Sequence, residues 1–283
     1  MTRKLLLLYI ITATACRQQT GTDSQTLMIM ERGNGVKASD PDHPEVGASF
    51  NSKGEEVCTV TLVHPHYVVT ASHCIGKAGP QKLNGPKIKI KGKDYTAIAS
   101  NSPQDMESMR FCYDSHGLKC GKTAYKLDFA ILRLNEDVKN VSPAKFENPV
   151  NLEFVKIYGF GCSSEKEEED GVNRKVGRGK RRMYEGKWDN PATSNFRINV
   201  TCTGDSGGPV FNAKTGKLVY LMSQGKQDNG GGTDTFASVG ENSELVRGLV
   251  KGLGDQEAFN LLELQSAHSN TIGNDTKHSP NDP

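Results

Sequence analysis

Between residues 46 and 250 the chain runs as short clusters of β-branched, aromatic and aliphatic residues, each soon broken by Gly, Pro, Asn or Asp. The clearest clusters are Val57–Val63, Tyr67–Thr70, Lys87–Ile90, Phe129–Leu134, Phe154–Phe160, Phe196–Val200 and Leu218–Met222. Short strands at frequent intervals, with no long stretch of 3.6-residue period, predict an antiparallel barrel or sandwich. One segment has helical spacing: Leu245, Val246, Leu249 and Val250 fall at i, i+1, i+4 and i+5. Ser243 is placed to cap it, and Gly252 and Gly254 are stop signals. The two ends are polar. Residues 16–34 carry only the short apolar cluster Leu27–Met30, and residues 255–283 read as a loose tail ending in Ser279-Pro280-Asn281-Asp282-Pro283.

Composition narrows the class. At 283 residues and 35% apolar, the chain has material for one large β domain or two modest ones, and global disorder is excluded. The formal charge is +2, and its excess resides in Arg3 and Lys4; from residue 16 onward the chain is neutral. A general electrostatic attraction to nucleic acid is therefore not expected. The run from Glu165 to Asp170 is acidic, and Arg174, Lys175, Arg178, Lys180, Arg181 and Arg182 follow it closely. Opposite charges this near each other, without interleaved aromatics, read as a solvated loop leading into a strand.

The N-terminus predicts export. Arg3-Lys4 supplies the positive start, Leu5 to Ile11 the apolar stretch, and Ala13-Thr14-Ala15 the small-residue cleavage site of a signal peptide over residues 1–15. That apolar run is far shorter than the ~20 residues of a spanning helix. Cys16 comes next, and small residues followed at once by Cys resemble the lipobox of bacterial lipoproteins, although Ala13 stands where Leu is usual. The expectation is a lipid on Cys16, with plain secretion as the other reading. Six cysteines remain, Cys58, Cys74, Cys112, Cys120, Cys162 and Cys202, and an even number fits an oxidising compartment. None forms a CxxC pair and no His cluster accompanies them, so a structural metal is not expected.

Three strings carry chemistry. Gly204-Asp205-Ser206-Gly207-Gly208-Pro209 sets a serine in a Gly-rich bend, where its hydroxyl can stand clear while successive N–H groups form an anion-binding concavity. Tyr67-Val68-Val69-Thr70-Ala71-Ser72-His73-Cys74 places a histidine just after a β-type run. Asp128-Phe129-Ala130-Ile131-Leu132-Arg133-Leu134 opens another with an acid. Taken singly, these read as a tight hairpin, a structural histidine and a turn residue. Together they resemble the trypsin/chymotrypsin-like serine proteases, whose motifs read T-A-A-H-C, D-I-A-L-L and G-D-S-G-G-P. The order His, Asp, Ser is that family's and differs from subtilisins and α/β-hydrolases.

The resemblance implies an all-β fold of two antiparallel six-stranded β-barrels over residues 33–253, with a short C-terminal helix. Residues 16–32 are then a tether or propeptide, and 254–283 the polar tail. It implies a serine endopeptidase, which the N-terminal segment makes an exported one, and no cofactor and no metal are expected. Ser206 is its nucleophile, His73 its general base, and Asp128 the orienter of His73. The N–H groups of Gly204 and Ser206 form the oxyanion hole. Asp205 is expected to pair with a buried ammonium in the active form. Ser223-Gln224-Gly225 resembles the S-W-G strand that pairs with substrate, with Gln224 where Trp is usual. Cys58 and Cys74 bracket the histidine loop as in the family, which implies a disulfide between them; Cys112–Cys120 is expected to close a short local loop, and Cys162–Cys202 then follows by elimination. The implied partners are protein or peptide substrates, with no nucleic acid and a membrane only through the Cys16 lipid.

Specificity and activation depart from the pattern. The family's pocket-floor position falls on Val200, so an acid is absent there. Thr233-Asp234-Thr235-Phe236-Ala237-Ser238-Val239 resembles P-G-V-Y-T-R-V, which sets Asp234 on the opposite wall and points to cleavage after Arg or Lys. The other reading makes Asp234 a loop residue and leaves Val200 to favour apolar or small side chains. The activation segment is irregular too: Glu31-Arg32 precedes Gly33-Asn34-Gly35-Val36 where I-V-G-G is common. This irregularity keeps a second functional class in view, a catalytically inactive homologue that binds proteins on the same scaffold.

Overall fold

A computed structural model describes residues 36–37, 42–75, 79–83, 85–103, 127–150, 152–161, 181–188, 195–196, 204–228 and 231–262. The first unit contains β2 (Val46–Phe50), β3 (Glu56–His64), β4 (Tyr67–Thr70), β5 (Gln81–Lys82), β6 (Lys87–Ile90), β7 (Lys93–Asn101) and β8 (Ala130–Leu134). Their order is β5-β7-β6-β2-β3-β4-β8, and β7 also pairs with β8, which closes six strands into a barrel with β5 attached to β7. The second unit contains β1 (Val36–Lys37), β9 (Phe154–Gly159), β10 (Arg182–Lys187), β11 (Asn195–Phe196), β12 (Pro209–Asn212), β13 (Leu218–Asp228) and β14 (Gly231–Ala237). It is a seven-stranded antiparallel sheet in the order β1-β10-β9-β12-β13-β14-β11, with no pairing between its end strands among the described residues. The fold is thus the expected chymotrypsin-like all-β architecture, with one closed barrel and a second sheet.

Strand alternation sorts side chains into three cores. Val60 and Leu62 on β3, Val68 on β4, Ile88 and Ile90 on β6, and Leu132 and Leu134 on β8 fill the barrel. Val155 and Ile157 on β9, Val210, Val219, Tyr220, Trp188 and Phe236 form the second unit's own core. The opposite faces of β3, β4 and β8 supply Val63, Tyr67, Val69 and Ile131, which meet Tyr158, Phe211, Leu218 and Leu221 in a third cluster between the units. Strands buried on both faces read as continuous apolar runs, which is how Tyr67–Thr70 and Ala130–Leu134 look in the sequence.

Helix α1 (Ser243–Gly252) sends Val246, Leu249 and Val250 into that seam. Two details differ from expectation. The cap position is Asn242 and not Ser243, and Asn242 turns its side-chain amide back to the Ser238 carbonyl at 2.7 Å. Leu245 lies on the solvent side, 38% exposed. The first residues of the segment expected as a polar tail are also structured. Residues 256–262 form a second helix whose Ala258 and Leu262 are buried in the seam core, and Asp255 accepts the Tyr67 hydroxyl at 2.9 Å. Only two apolar positions a turn apart anchor this helix, too few to lift it above the polar background of the sequence. Arg182, the last of the basic run, opens β10, the strand that the expected loop leads into, and is buried.

Candidate active site

Strand pairing brings His73 and Asp128 together. β4 and β8 are antiparallel, with Thr70 opposite Ala130, so the end of β4 and the start of β8 share one edge of the barrel. His73 lies just past the first, in a 3-10 turn over Ser72–Cys74, and Asp128 lies just before the second. The turn is tied to β3 by a disulfide between Cys58 and Cys74.

Asp128 is 2% exposed and is enclosed by donors. Its Oδ2 accepts His73 Nδ1–H at 2.8 Å, and its Oδ1 accepts the His73 backbone N–H at 3.1 Å. The Ser72 hydroxyl donates to Oδ1 at 2.6 Å, and the Ser223 hydroxyl donates to Oδ2. Burial alone would push this carboxyl up. The adjacent His73, with the hydrogen bonds from His73, Ser223 and Ser72, reverses that and holds it down at about 2. An ionised carboxylate only accepts, so Nδ1 carries the proton and Nε2 is left as the basic nitrogen of neutral His73.

Ser206 comes from the second unit, in the turn before β12. Gly204 and Gly207 adopt φ of +100° and +80°, the left-handed region that favours glycine. A Cβ on Gly207 would overlap Thr70 Oγ1 and the Thr59 carbonyl, so the turn presses directly on the barrel. The barrel residue opposite it is Thr59. Its N–H donates to the Ser206 carbonyl at 2.8 Å and its hydroxyl to the Gly204 carbonyl at 2.9 Å. Thr59 Oγ1 also accepts the Phe160 N–H at 3.1 Å, and the Thr59 carbonyl accepts the Thr70 hydroxyl at 2.8 Å. On its other side the turn is fixed by Gly207 N–H to the Met222 carbonyl at 2.7 Å.

Ser223 connects the two units. Met222 pairs with Phe236 and Gln224 with Thr235, so Ser223 is the extra residue of a β-bulge, a device that re-aims a side chain. Its hydroxyl reaches Asp128, and its carbonyl accepts the Ser206 hydroxyl at 3.4 Å. Asp205 is buried, and its carboxylate accepts the Gly161 N–H at 2.6 Å. Neither Gly159 nor Gly161 has room for a Cβ beside that carboxylate.

His73, Asp128, Gly204, Ser206 and Ser223 therefore converge. Gln224 and Gly225 continue β13 from Ser223, and the register sets Asp234 on β14 opposite Gly225. Val200, Cys16, Cys112, Cys120, Cys162 and Cys202 lie outside the described residues. Cys58, His73 and Cys74 are close enough to suggest a metal cluster, but both sulfurs are consumed by the disulfide. Sequence reading missed Thr59, Ser72 and the side-chain role of Ser223. Ser72 left a trace as the one letter by which T-A-S-H-C departs from T-A-A-H-C, whereas Thr59 left none.

The family model described as Trypsin matches residues 32–243. Thrombin-like enzyme ancrod-2 of Calloselasma rhodostoma is 28% identical over 112 residues, a match that covers 37% of this chain and 39% of that protein. The chain therefore aligns with about two fifths of that relative's length. In fold, the chain is similar to neuropsin, a serine protease expressed in the limbic system of mouse brain, with a TM-score of 0.55 and 18% identity over 77% of this chain and 99% of that one.

Proposed function

The chain belongs to the trypsin family, and from that membership we propose that it is an exported serine endopeptidase acting through Ser206, His73 and Asp128. The observation that carries this reading is the grip of Asp128 on His73 Nδ1, at 2.8 Å inside a shell of donors, with Ser223 joining that carboxylate to the Ser206 hydroxyl.

His73 Nε2 takes the Ser206 proton as Oγ attacks the scissile carbonyl. Asp128 stabilises the imidazolium that results, without taking the proton itself. The N–H groups of Gly204 and Ser206, in the turn where Gly204 and Gly207 take left-handed φ, stabilise the developing oxyanion. His73 then protonates the leaving amine, and water enters by the same route in reverse to release the acyl group. The substrate strand pairs with the backbone of Ser223, Gln224 and Gly225.

Cleavage follows Arg or Lys, with Asp234 as the acid that pairs with the substrate cation. The register of β13 and β14, which sets Asp234 beside Gly225, supports this assignment. Residues 1–15 direct export, and Cys16 carries the lipid that holds the mature chain at a membrane.

The test is labelling of the purified mature protein with a fluorophosphonate, which needs an activated serine and no known substrate, joined to a panel of chromogenic peptides that differ only in the residue before the cut. Wild type is expected to label and to prefer Arg or Lys. Asp234→Gly should lower kcat/KM for those peptides by about 10- to 100-fold, the size of a lost charge-assisted contact of a few kcal/mol. A preference for Phe or Leu, or no change on mutation, rejects the role of Asp234. The anchor is tested separately by detergent-phase partitioning, where Cys16→Ser should move the protein to the aqueous phase. Wild-type protein found soluble and without added lipid mass rejects the anchor.

A further inference from the structure

Of the donors to Asp128, one has no counterpart in the motif that the histidine segment resembles. Ser72 is 0% exposed, and its hydroxyl donates to Asp128 Oδ1 at 2.6 Å, shorter than the 3.1 Å bond from the His73 N–H to the same oxygen. We propose that Ser72 is a positioning residue of the hydrolytic machinery: it draws charge from the carboxylate and so sets how far into acid the enzyme stays active. The inference rests on the serine-endopeptidase reading.

A carboxylate spreads one negative charge over two oxygens, and each donated hydrogen bond takes a share of it. Within Asp128 the donors divide evenly, with Ser72 and His73 N–H on Oδ1 and His73 Nδ1–H and Ser223 on Oδ2. Among the described residues the charged group acting on Asp128 is His73, and the neighbouring Cys58 and Cys74 are locked in a disulfide. When the Ser72 hydroxyl is removed, Oδ1 keeps a single donor among the described residues, on a carboxylate that is only 2% exposed to water. The less satisfied carboxylate then holds the protonated imidazole more tightly. The base sheds its proton only at higher pH, and the acidic edge of activity moves up. The hydrogen bond from Ser72 is also among the influences that keep the Asp128 carboxyl low. A hydroxyl that only filled space would alter stability and leave the pH profile in place.

The experiment measures the rate constant for fluorophosphonate labelling of the mature protein from acid to mildly alkaline pH, in wild type, Ser72→Ala and Ser72→Thr. In Ser72→Ala the midpoint of the acid limb is expected to rise by ~0.5–1 pH unit, a ~3- to 10-fold slower reaction on the acid side than on the alkaline side once each is scaled to wild type. Ser72→Thr keeps the donor and should return the limb to the wild-type position. Should Ser72→Ala fail to fold, Ser72→Cys takes its place, since a thiol is a weak donor and should move the limb in the same direction. A limb that stays in place, moves to lower pH, or gives way to a uniform loss at every pH overturns the role of Ser72 while the endopeptidase reading stands. A wild type that does not label at all overturns both.

Discussion

The two β units divide the work of the site unequally. The first is closed, and the neighbours it sets together, His73 and Asp128, are fixed by its own ladder through Thr70 opposite Ala130. The second holds Ser206 and Ser223 on a turn and a bulge, two irregular features whose shape depends on what they press against. That support comes from the first unit: Thr59 takes hold of Gly204 and Ser206, and Gly207 has no room between Thr70 and Thr59. The His73–Asp128 pair is thus a product of strand pairing, and the position of Ser206 is a product of the seam. Damage to the seam should misplace Ser206 while leaving the His73–Asp128 pair formed.

The largest effect is expected within the pair itself. His73→Ala should lower amide hydrolysis by several orders of magnitude, because nucleophile and base act as a unit. Gly207→Ala should be the most damaging change at the seam. It forces a side chain into the left-handed region and into the Thr59 and Thr70 backbone and hydroxyl, and chemical denaturation should report a loss of about 2–5 kcal/mol. The paired change Cys58→Ser with Cys74→Ser opens a loop of sequence separation 16, for which chain entropy gives about 3 kcal/mol. Thr59→Val keeps the shape but orphans the Gly204 carbonyl and Phe160 N–H, a loss of about 1–3 kcal/mol that should lower kcat more than it lowers stability. The smallest effect concerns acid. Because Asp128 is held down at about 2 when folded, it contributes stability that is present above the ordinary carboxylate range and lost as pH falls through about 2. Thermal scans into that range should show Asp128→Asn less acid-sensitive than wild type.

The same division decides what could be read beforehand. The barrel strands were legible from their patterns: Tyr67–Thr70 is a continuous run buried on both faces, and Lys87–Ile90 alternates exposed lysine with buried isoleucine, each ending where its cluster ends. His73, Asp128 and Ser206 were legible because each sits in a short string of distinctive residues. Thr59 was not, since one hydroxyl beside a cysteine looks like any strand threonine until another unit is folded against it. The bulge at Ser223 was hidden for a related reason, as period-2 alternation carries no mark where a single residue is inserted. The helix over 256–262 was missed because Ala258 and Leu262 gain their meaning from the seam and not from their neighbours.

The most direct measurement of the central claim compares wild type and Ser206→Ala, purified identically, in hydrolysis of an amide substrate. The Ser206 hydroxyl is small and only half-enclosed, so both proteins should give the same thermal unfolding curve. The expected result is turnover by wild type and a fall of several orders of magnitude in Ser206→Ala. Equal turnover by the two proteins, or none by the wild type in its mature form, would contradict the account.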